Sequence, residues 1–318
     1  QAKALWEEIC SNDAEDQVAI REQERYVARL IHHQQTKKAV SENSHFESTF
    51  EKALSFNEDV TYLITGGLGS LGLLIAKWMV ERGARHLVLL GRSGASDAIQ
   101  TQLKELEQAG AKVVVYKADV SQAESITQVL SQIEQSLPPL RGIIHAAGVL
   151  DDGVLQNQTW EKFATVMAPK VQGAWNLHNL TLDTPLDFFV LFSSVASLLG
   201  SPGQANHSAA NAFLDAFAYY RRSIGLPVLS INLGVVAEIG VAAKRQTDKR
   251  VSKKGIGAIL PQQITEALEI MMSNPHISPQ VGFVPIRWSQ LIEQLTNNNY
   301  PYYYIDFVRQ QKEQDQSK

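Results

Sequence analysis

Cysteine is all but missing from this chain. A single thiol, Cys10, in 318 residues excludes an internal disulfide framework and suits the reducing cytoplasm. Long apolar runs are missing too: nothing approaches the ~18 residues a membrane-spanning helix needs. No signal peptide opens the sequence. Neither sign of charge dominates. With 29 Lys and Arg against 33 Asp and Glu, the net charge of −4 gives no reason to expect nucleic acid or an acidic membrane surface as a partner. Ligand-like spacing is absent among His32, His33, His45, His86, His145, His178 and His276, so no metal is expected and these read as surface or packing residues. There is no internal repeat, and an initiator Met is lacking; Gln1 leads to the expectation of a piece of something longer.

What is present is an α/β pattern. Apolar residues make up 44% of the chain and charged residues 19%, enough for a sizeable core. Residues 1–32 are expected to hold a helix (Ala4–Ile9) and a hairpin, Val18–Arg21 with Tyr26–Leu30. An isolated hairpin is marginal in water, so this one must pair with something else. Residues 33–58 are polar and weakly patterned, a linker; residues 306–318 are nearly all polar and read as a C-terminal linker. Between them, residues 59–305 alternate strands and helices. Strand-like runs are Tyr62–Thr65, Leu87–Leu90, Val113–Val115, Gly142–His145, Phe188–Phe192, Leu229–Asn232 and Gly282–Val284. Amphipathic stretches such as Leu71–Arg82, Ile99–Ala109, Ala123–Leu137, Lys162–Leu180 and Ala209–Ile224 separate them. Continuous apolar strands divided by helices predict a doubly wound parallel sheet of the Rossmann type, its ligand crevice at the carboxyl ends of the strands.

A glycine-rich turn, Thr65 to Gly72, follows the first of these strands and opens a helix. Gly66, Gly67, Leu68, Gly69, Leu71 and Gly72 are the candidates there: glycine lets the turn form and the backbone approach a pyrophosphate, while the helix N-terminus supplies partial positive charge. The second strand ends at Arg92 and Ser93. A basic residue at that place accommodates a 2′-phosphate, so NADPH is expected in preference to NADH; a solvated surface arginine is the alternative. Asp119, before Val120, has two readings: a carboxylate on the adenine amino group, or a helix cap. Ala146, Ala147 and Gly148 end the fourth strand with small residues that let a cofactor lie close.

Beyond the turn, the segments HAAGVLDDGVL (His145–Leu155), APKVQGAWNLH (Ala168–His178), FSSVASLLGSPGQANHSAANAFLDA (Phe192–Ala216) and SINLG (Ser230–Gly234) complete a pattern. Residues 58 to about 300 resemble the short-chain dehydrogenase/reductase superfamily, specifically the ketoreductase domains of modular polyketide synthases. The hairpin resembles the end of the structural subdomain that precedes the catalytic half in those synthases. The resemblance implies NADPH-dependent reduction of a β-ketoacyl chain on an acyl carrier protein, beside other domains of a synthase module. It implies that Ser194 bonds the substrate carbonyl, that Lys170 lies near the nicotinamide ribose and tunes the proton donor, and that Asn211 completes the set. The donor itself falls at His207, thirteen residues after Ser194, where the family has tyrosine. Leu150, Asp151 and Asp152 resemble the B-type motif, which implies a D-configured hydroxyl. The tryptophan that marks A-type enzymes would fall at Leu199. Gln204, by the same resemblance, lies near the pantetheine channel, although loop structure explains it equally well.

His207 fits this scheme poorly. Positions 207 and 211 share a helix face and can serve one site. Yet an imidazole stops short of a phenol's hydroxyl, and about 1 Å of misplacement can cost ~100-fold in rate. Lys170 would also disfavour imidazolium, leaving a very weak acid that can still donate a hydrogen bond. Two functions therefore stand: a reductase with residual activity, or a reductase-incompetent scaffold of the same fold. Trp160, Trp175 and the Tyr300–Tyr304 cluster are expected to pack the core, and the basic stretch Lys244–Lys254 falls where the family has its substrate lid.

Overall fold

The structure is a computed structural model that describes residues 2–11, 13, 15–22, 24–32, 54–237, 255–294 and 301–316. It divides into a larger compact unit, residues 48–248 with 258–285, and a smaller one drawn from residues 1–47, 249–257 and 286–318. The chain starts in the smaller unit with α1 (Ala2–Ile9) and an antiparallel hairpin of β1 (Val18–Arg21) and β2 (Glu24–Val27).

The larger unit is built on seven strands: β3 (Thr61–Thr65), β4 (His86–Gly91), β5 (Lys112–Lys117), β6 (Leu140–His145), β7 (Phe188–Ser194), β8 (Leu229–Leu233) and β9 (Gln280–Phe283). Their spatial order is β5-β4-β3-β6-β7-β8-β9, and every neighbouring pair is parallel. Parallel neighbours need crossovers, which α2 (Ser70–Glu81), α3 (Asp97–Gln108) and α4 (Ala123–Ser136) supply on one half of the sheet. Burial on both faces explains why the strands read as unbroken apolar runs. Leu87 and Leu89 of β4 join Ile75, Met79 and Leu268 on one face, while Val88 and Leu90 join Ile126, Ile143 and Leu214 on the other. This is the doubly wound fold expected from the sequence.

Strand order reverses at β3, with β4 and β5 to one side and β6 onward to the other. The loops after β3 and β6 are thus neighbours at the carboxyl end of the sheet, the place where such folds bind ligands. There the Ala146 N–H donates to Thr65 O at 3.1 Å.

Several boundaries differ from expectation. Phe56, within the stretch assigned to a linker, belongs to the core: it is buried, its N–H donates to Arg82 O at 2.9 Å, and its ring meets Trp78 edge-on at 5.2 Å. A single phenylalanine amid polar neighbours carries no periodic signal. The helix expected over Lys162–Leu180 is three pieces: α5 (Trp160–Met167), a π-helical turn (Ala168–Gln172) and α6 (Gly173–Leu180). Pro169 accounts for the break, because it lacks the N–H an α-helical ladder requires and its ring crowds the carbonyl four residues back. Trp160 and Trp175 are not core residues; they are 72% and 38% exposed. Trp175 instead covers the buried His178 and Phe217 beside the exposed Tyr220. After α7 (Ala196–Leu199), α8 (Ala205–Ser223) begins earlier than the expected Ala209 and so takes in His207; α9 (Pro261–Met272) packs before β9.

In the smaller unit, the tail expected as a linker forms a helix. α10 (Trp288–Gln294) is followed by α11 (Ile305–Gln316), which buries Phe307 and Val308. Trp288 stacks on Phe307 at 3.9 Å; of the Tyr300–Tyr304 cluster expected to pack, Tyr304 is buried, Tyr302 is exposed and Tyr300 lies outside the described residues. Polar residues that fill the outer face of α11 conceal these two anchors in the sequence. The hairpin gains no third strand among the described residues. Its partners are ionic: Arg25 bonds Glu8 at 2.6 Å and Arg29 bonds Glu15 at 2.8 Å. The N–H of Leu30, just past β2, donates to Tyr303 O at 2.9 Å. The Lys244–Lys254 stretch and most of the linker assigned to 33–58 lie outside the described residues.

Candidate active site

Gly66 adopts a left-handed conformation (φ 66°), and a Cβ there would sit 2.8 Å from the backbone of Ala146 and Ala147. Gly72 is equally constrained, because a Cβ would run into Gly66 O and the Gly67 backbone. Gly67 N–H reaches Leu90 O at 3.1 Å, tying the turn to β4. Gly69 precedes α2 with no side-chain cap, so the first N–H groups of the helix stay available to an anion. Arg92 and Ser93 are exposed at the end of β4, and no carboxylate occupies their place. These features fit a dinucleotide: a backbone cradle without side chains, an uncapped helix N-terminus, and a cation where a 2′-phosphate would fall. Asp119 does not cap α4, whose N-cap is Gln122. Its Oδ1 accepts from the N–H and hydroxyl of Ser121 at 2.9 and 2.7 Å. Val120 is buried, and its carbonyl accepts from Asn176 Nδ2 at 3.0 Å. Gly66→Ala is expected to lower nucleotide affinity at least tenfold, since the strained φ and the clash both displace the turn; titration calorimetry with NADPH checks it.

The π-helical turn carries Lys170 into the interior. Its ammonium donates to Phe192 O, near the end of β7, at 2.9 Å, and its Cε lies 3.2 Å from where a Cβ on Gly148 would be. Lys170 thus bridges the ends of β6 and β7. Burial pulls its pKa down to about 8, against the opposing charge of Asp215. His207 lies in the field of that ammonium. Burial first, then Lys170, push the imidazole down to about 4, with Asp152 acting the other way. His207 is therefore neutral at pH 7, and its buried Nδ1 has no hydrogen-bond partner among the described residues. Asn211 turns its amide back onto the helix, Nδ2 donating to His207 O at 2.7 Å, and its buried Oδ1 has no partner among the described residues. Ser194 Oγ accepts the Ala196 N–H at 3.2 Å and keeps its own proton for another acceptor.

The loop after β6 is fastened to the start of α8. Gly153 N–H donates to Gly203 O at 2.8 Å, Gln204 Nε2 to Asp152 at 3.1 Å, and Asn206 Nδ2 to Asp151 O at 2.7 Å. Asp151 also pairs with Lys162 at 3.1 Å. So Asp151, Asp152 and Gln204 are brought together with the His207 helix, and Leu150 precedes them on the same loop. Arg92, Ser93 and Asp119 stand apart, at the ends of β4 and β5. Sequence reasoning overlooked Asn206, Asp215 and Asn232, although Asp215 continues the four-residue spacing of His207 and Asn211 along α8.

A parallel seven-stranded sheet with a glycine turn at its switch point, and a buried lysine between two strand ends, defines a Rossmann-like oxidoreductase. The family model described as the KR domain matches residues 60–238, and the chain belongs to that ketoreductase family. It is 37% identical over 80% of its length to a highly reducing polyketide synthase of Preussia isomera, and 42% identical over 70% to a reducing polyketide synthase of Cochliobolus heterostrophus. It spans only 11% and 9% of those two proteins. A solved A1-type ketoreductase superposes with a TM-score of 0.83 at 31% identity, covering 94% of this chain and 60% of that one. A ketoreductase from the first module of phoslactomycin biosynthesis in Streptomyces sp. HK803 gives 0.81 at 28%, covering 93% and 65%.

Proposed function

We propose that this chain is the ketoreductase domain of a polyketide synthase, reducing a β-ketoacyl chain on acyl carrier protein to the β-hydroxyacyl form with NADPH, in the cytoplasm and beside other domains of its module. Residues 59–305 would be the catalytic part and residues 1–32 the end of a structural subdomain. One observation carries the reading: the Lys170 ammonium is buried between the ends of β6 and β7 with His207 in its field. The turn residues Gly66, Gly67, Leu68, Gly69, Leu71 and Gly72 would hold the pyrophosphate. Arg92 and Ser93 would hold the 2′-phosphate, with Asp119 and Val120 beside the adenine and Ala146, Ala147, Gly148 and Lys170 beside the nicotinamide ribose. Bound there, the nicotinamide supplies the hydride.

Charge then develops on the substrate oxygen, and the chain's donors meet it. Ser194 gives its hydroxyl hydrogen bond. His207, neutral, gives a ring N–H bond; losing such a donor typically costs about 3–4 kcal/mol. Neutral imidazole is a very weak acid near pH 7, so a water in the gap would relay the proton, while Lys170 would tune the site and hold the ribose. Asn211 holds the first turn of α8 through His207 O. Leu150, Asp151 and Asp152, with Leu199 in place of tryptophan, support a B-type, D-configured product, and Gln204 would line the pantetheine channel. The neutral His207 also favours a second reading, a reductase-incompetent scaffold.

Purified protein mixed with NADPH and a β-ketoacyl thioester separates the two: loss of nicotinamide absorbance that disappears in Ser194→Ala supports the reductase. Nucleotide binding without turnover supports the scaffold. Arg92→Glu is expected to weaken NADPH binding about 100-fold relative to NADH, because two like charges replace a salt bridge to phosphate; competitive calorimetry with both nucleotides measures it.

A further inference from the structure

Among the described buried residues, Lys170 supplies the one ammonium and Asp215 the one carboxylate. A buried charge is strongly disfavoured unless another compensates it. Asp215 accepts hydrogen bonds from Ser197 Oγ at 2.6 Å, Ser230 Oγ at 2.8 Å and Asn232 Nδ2 at 2.7 Å. All three partners donate, as an ionised carboxylate requires. The same Asn232 amide donates to Ser193 Oγ at 3.1 Å, and the Ser193 hydroxyl donates to Asn211 O at 3.2 Å. Lys170 holds the preceding residue, Phe192, by its carbonyl. Ammonium and carboxylate are thus both fastened to the last residues of β7, one directly and one through Asn232.

The other ionisable groups near Lys170 do not compensate it. His145 of β6 and His207 of α8 are both pushed toward the neutral form by burial and by Lys170 itself, and Asp152, exposed on its loop, acts on His207. Asp215 alone acts on the ammonium, opposing its burial.

We propose that Asp215 is a positioning residue: its buried carboxylate keeps Lys170 in the ammonium form at neutral pH and fixes the Phe192–Ser194 strand end against α8. The inference rests on the reading that Lys170 serves the reductive site, but its test does not need turnover. The full chain is prepared with lysine isotopically labelled at Cε, and the Lys170 resonance, identified by its loss in Lys170→Arg, is followed against pH. The parent midpoint is expected near about 8. Asp215→Asn lowers it by about one pH unit or more, the shift an adjacent opposite charge supplies, and Asp215→Glu restores it. An unchanged midpoint in Asp215→Asn overturns the proposal.

Should Asp215→Asn not fold alone, the double variant Asp215→Asn/Lys170→Met decides. Removing the ammonium removes the need for its counter-charge, so the double variant must be more stable in urea than either single one. A double variant no more stable than either single one sinks the idea. A parent that oxidises no NADPH, yet shows the midpoint shift, refutes the reductase reading and leaves the Asp215–Lys170 pair standing.

Discussion

Replacing His207 with tyrosine is expected to raise NADPH-dependent reduction of a β-ketoacyl thioester about 100-fold. A phenol at this position reaches farther than imidazole, and about 1 Å of lost reach can cost that factor. Lys170 reinforces the gain, because a neighbouring ammonium makes a phenol more acidic while it drives imidazole toward the neutral form. The substitution also deletes the buried Nδ1 that has no partner among the described residues, which relieves about 1–3 kcal/mol of desolvation cost. Stability to urea should rise along with kcat. Steady-state kinetics on parent and variant, at matched circular dichroism, check the expectation. Equal or lower turnover in the variant would show that the imidazole is the donor this site is built around.

The second large effect is acid lability. Burial and the Lys170 charge push His145 down to about 3, and the same two causes push His207 to about 4. The unfolded chain titrates its histidines near 6.5. Below that pH the unfolded state binds protons that the folded state refuses, so stability is lost as pH falls toward the folded values. Each histidine contributes about 1.4 kcal/mol per pH unit in that window. By pH 5 the two together cost about 4 kcal/mol, a large part of a typical domain's stability. His178 adds in the same direction. It is lowered by burial and by Arg221, whose guanidinium donates to His178 Nδ1 at 2.8 Å. Urea melts at pH 7.5 and 5 measure the loss, and His207→Tyr should recover about half of it. A melt unchanged over that range would mean that these rings are solvated.

Much of this architecture is legible in the sequence, for a physical reason. Strands buried on both faces leave unbroken runs such as Leu87–Leu90, and a turn with no room for a Cβ leaves glycines in fixed order. The polar residues of the candidate site were visible because they end strands or repeat along one helix face. What stayed hidden depends on three-dimensional company. Asp215 and Asn232 look like any helix aspartate and strand asparagine until Ser193, Ser197 and Ser230 are placed around them. The π-helical turn that points Lys170 inward follows from Pro169, but its type depends on the packing of both flanking helices. Phe56 and the Phe307–Val308 pair are isolated anchors in polar surroundings, too sparse to form a period.

The smaller unit draws together residues from both sides of the larger one in the sequence. Leu30 meets Tyr303, and His32 lies 4.4 Å from Phe307, so segments on either side of the seven-stranded sheet in the sequence are each other's partners. The contacts of Leu30 and His32 must therefore wait through synthesis of the whole seven-stranded sheet, and long-range closure of that kind is slow. Nascent-chain length thus sets when these two contacts can form.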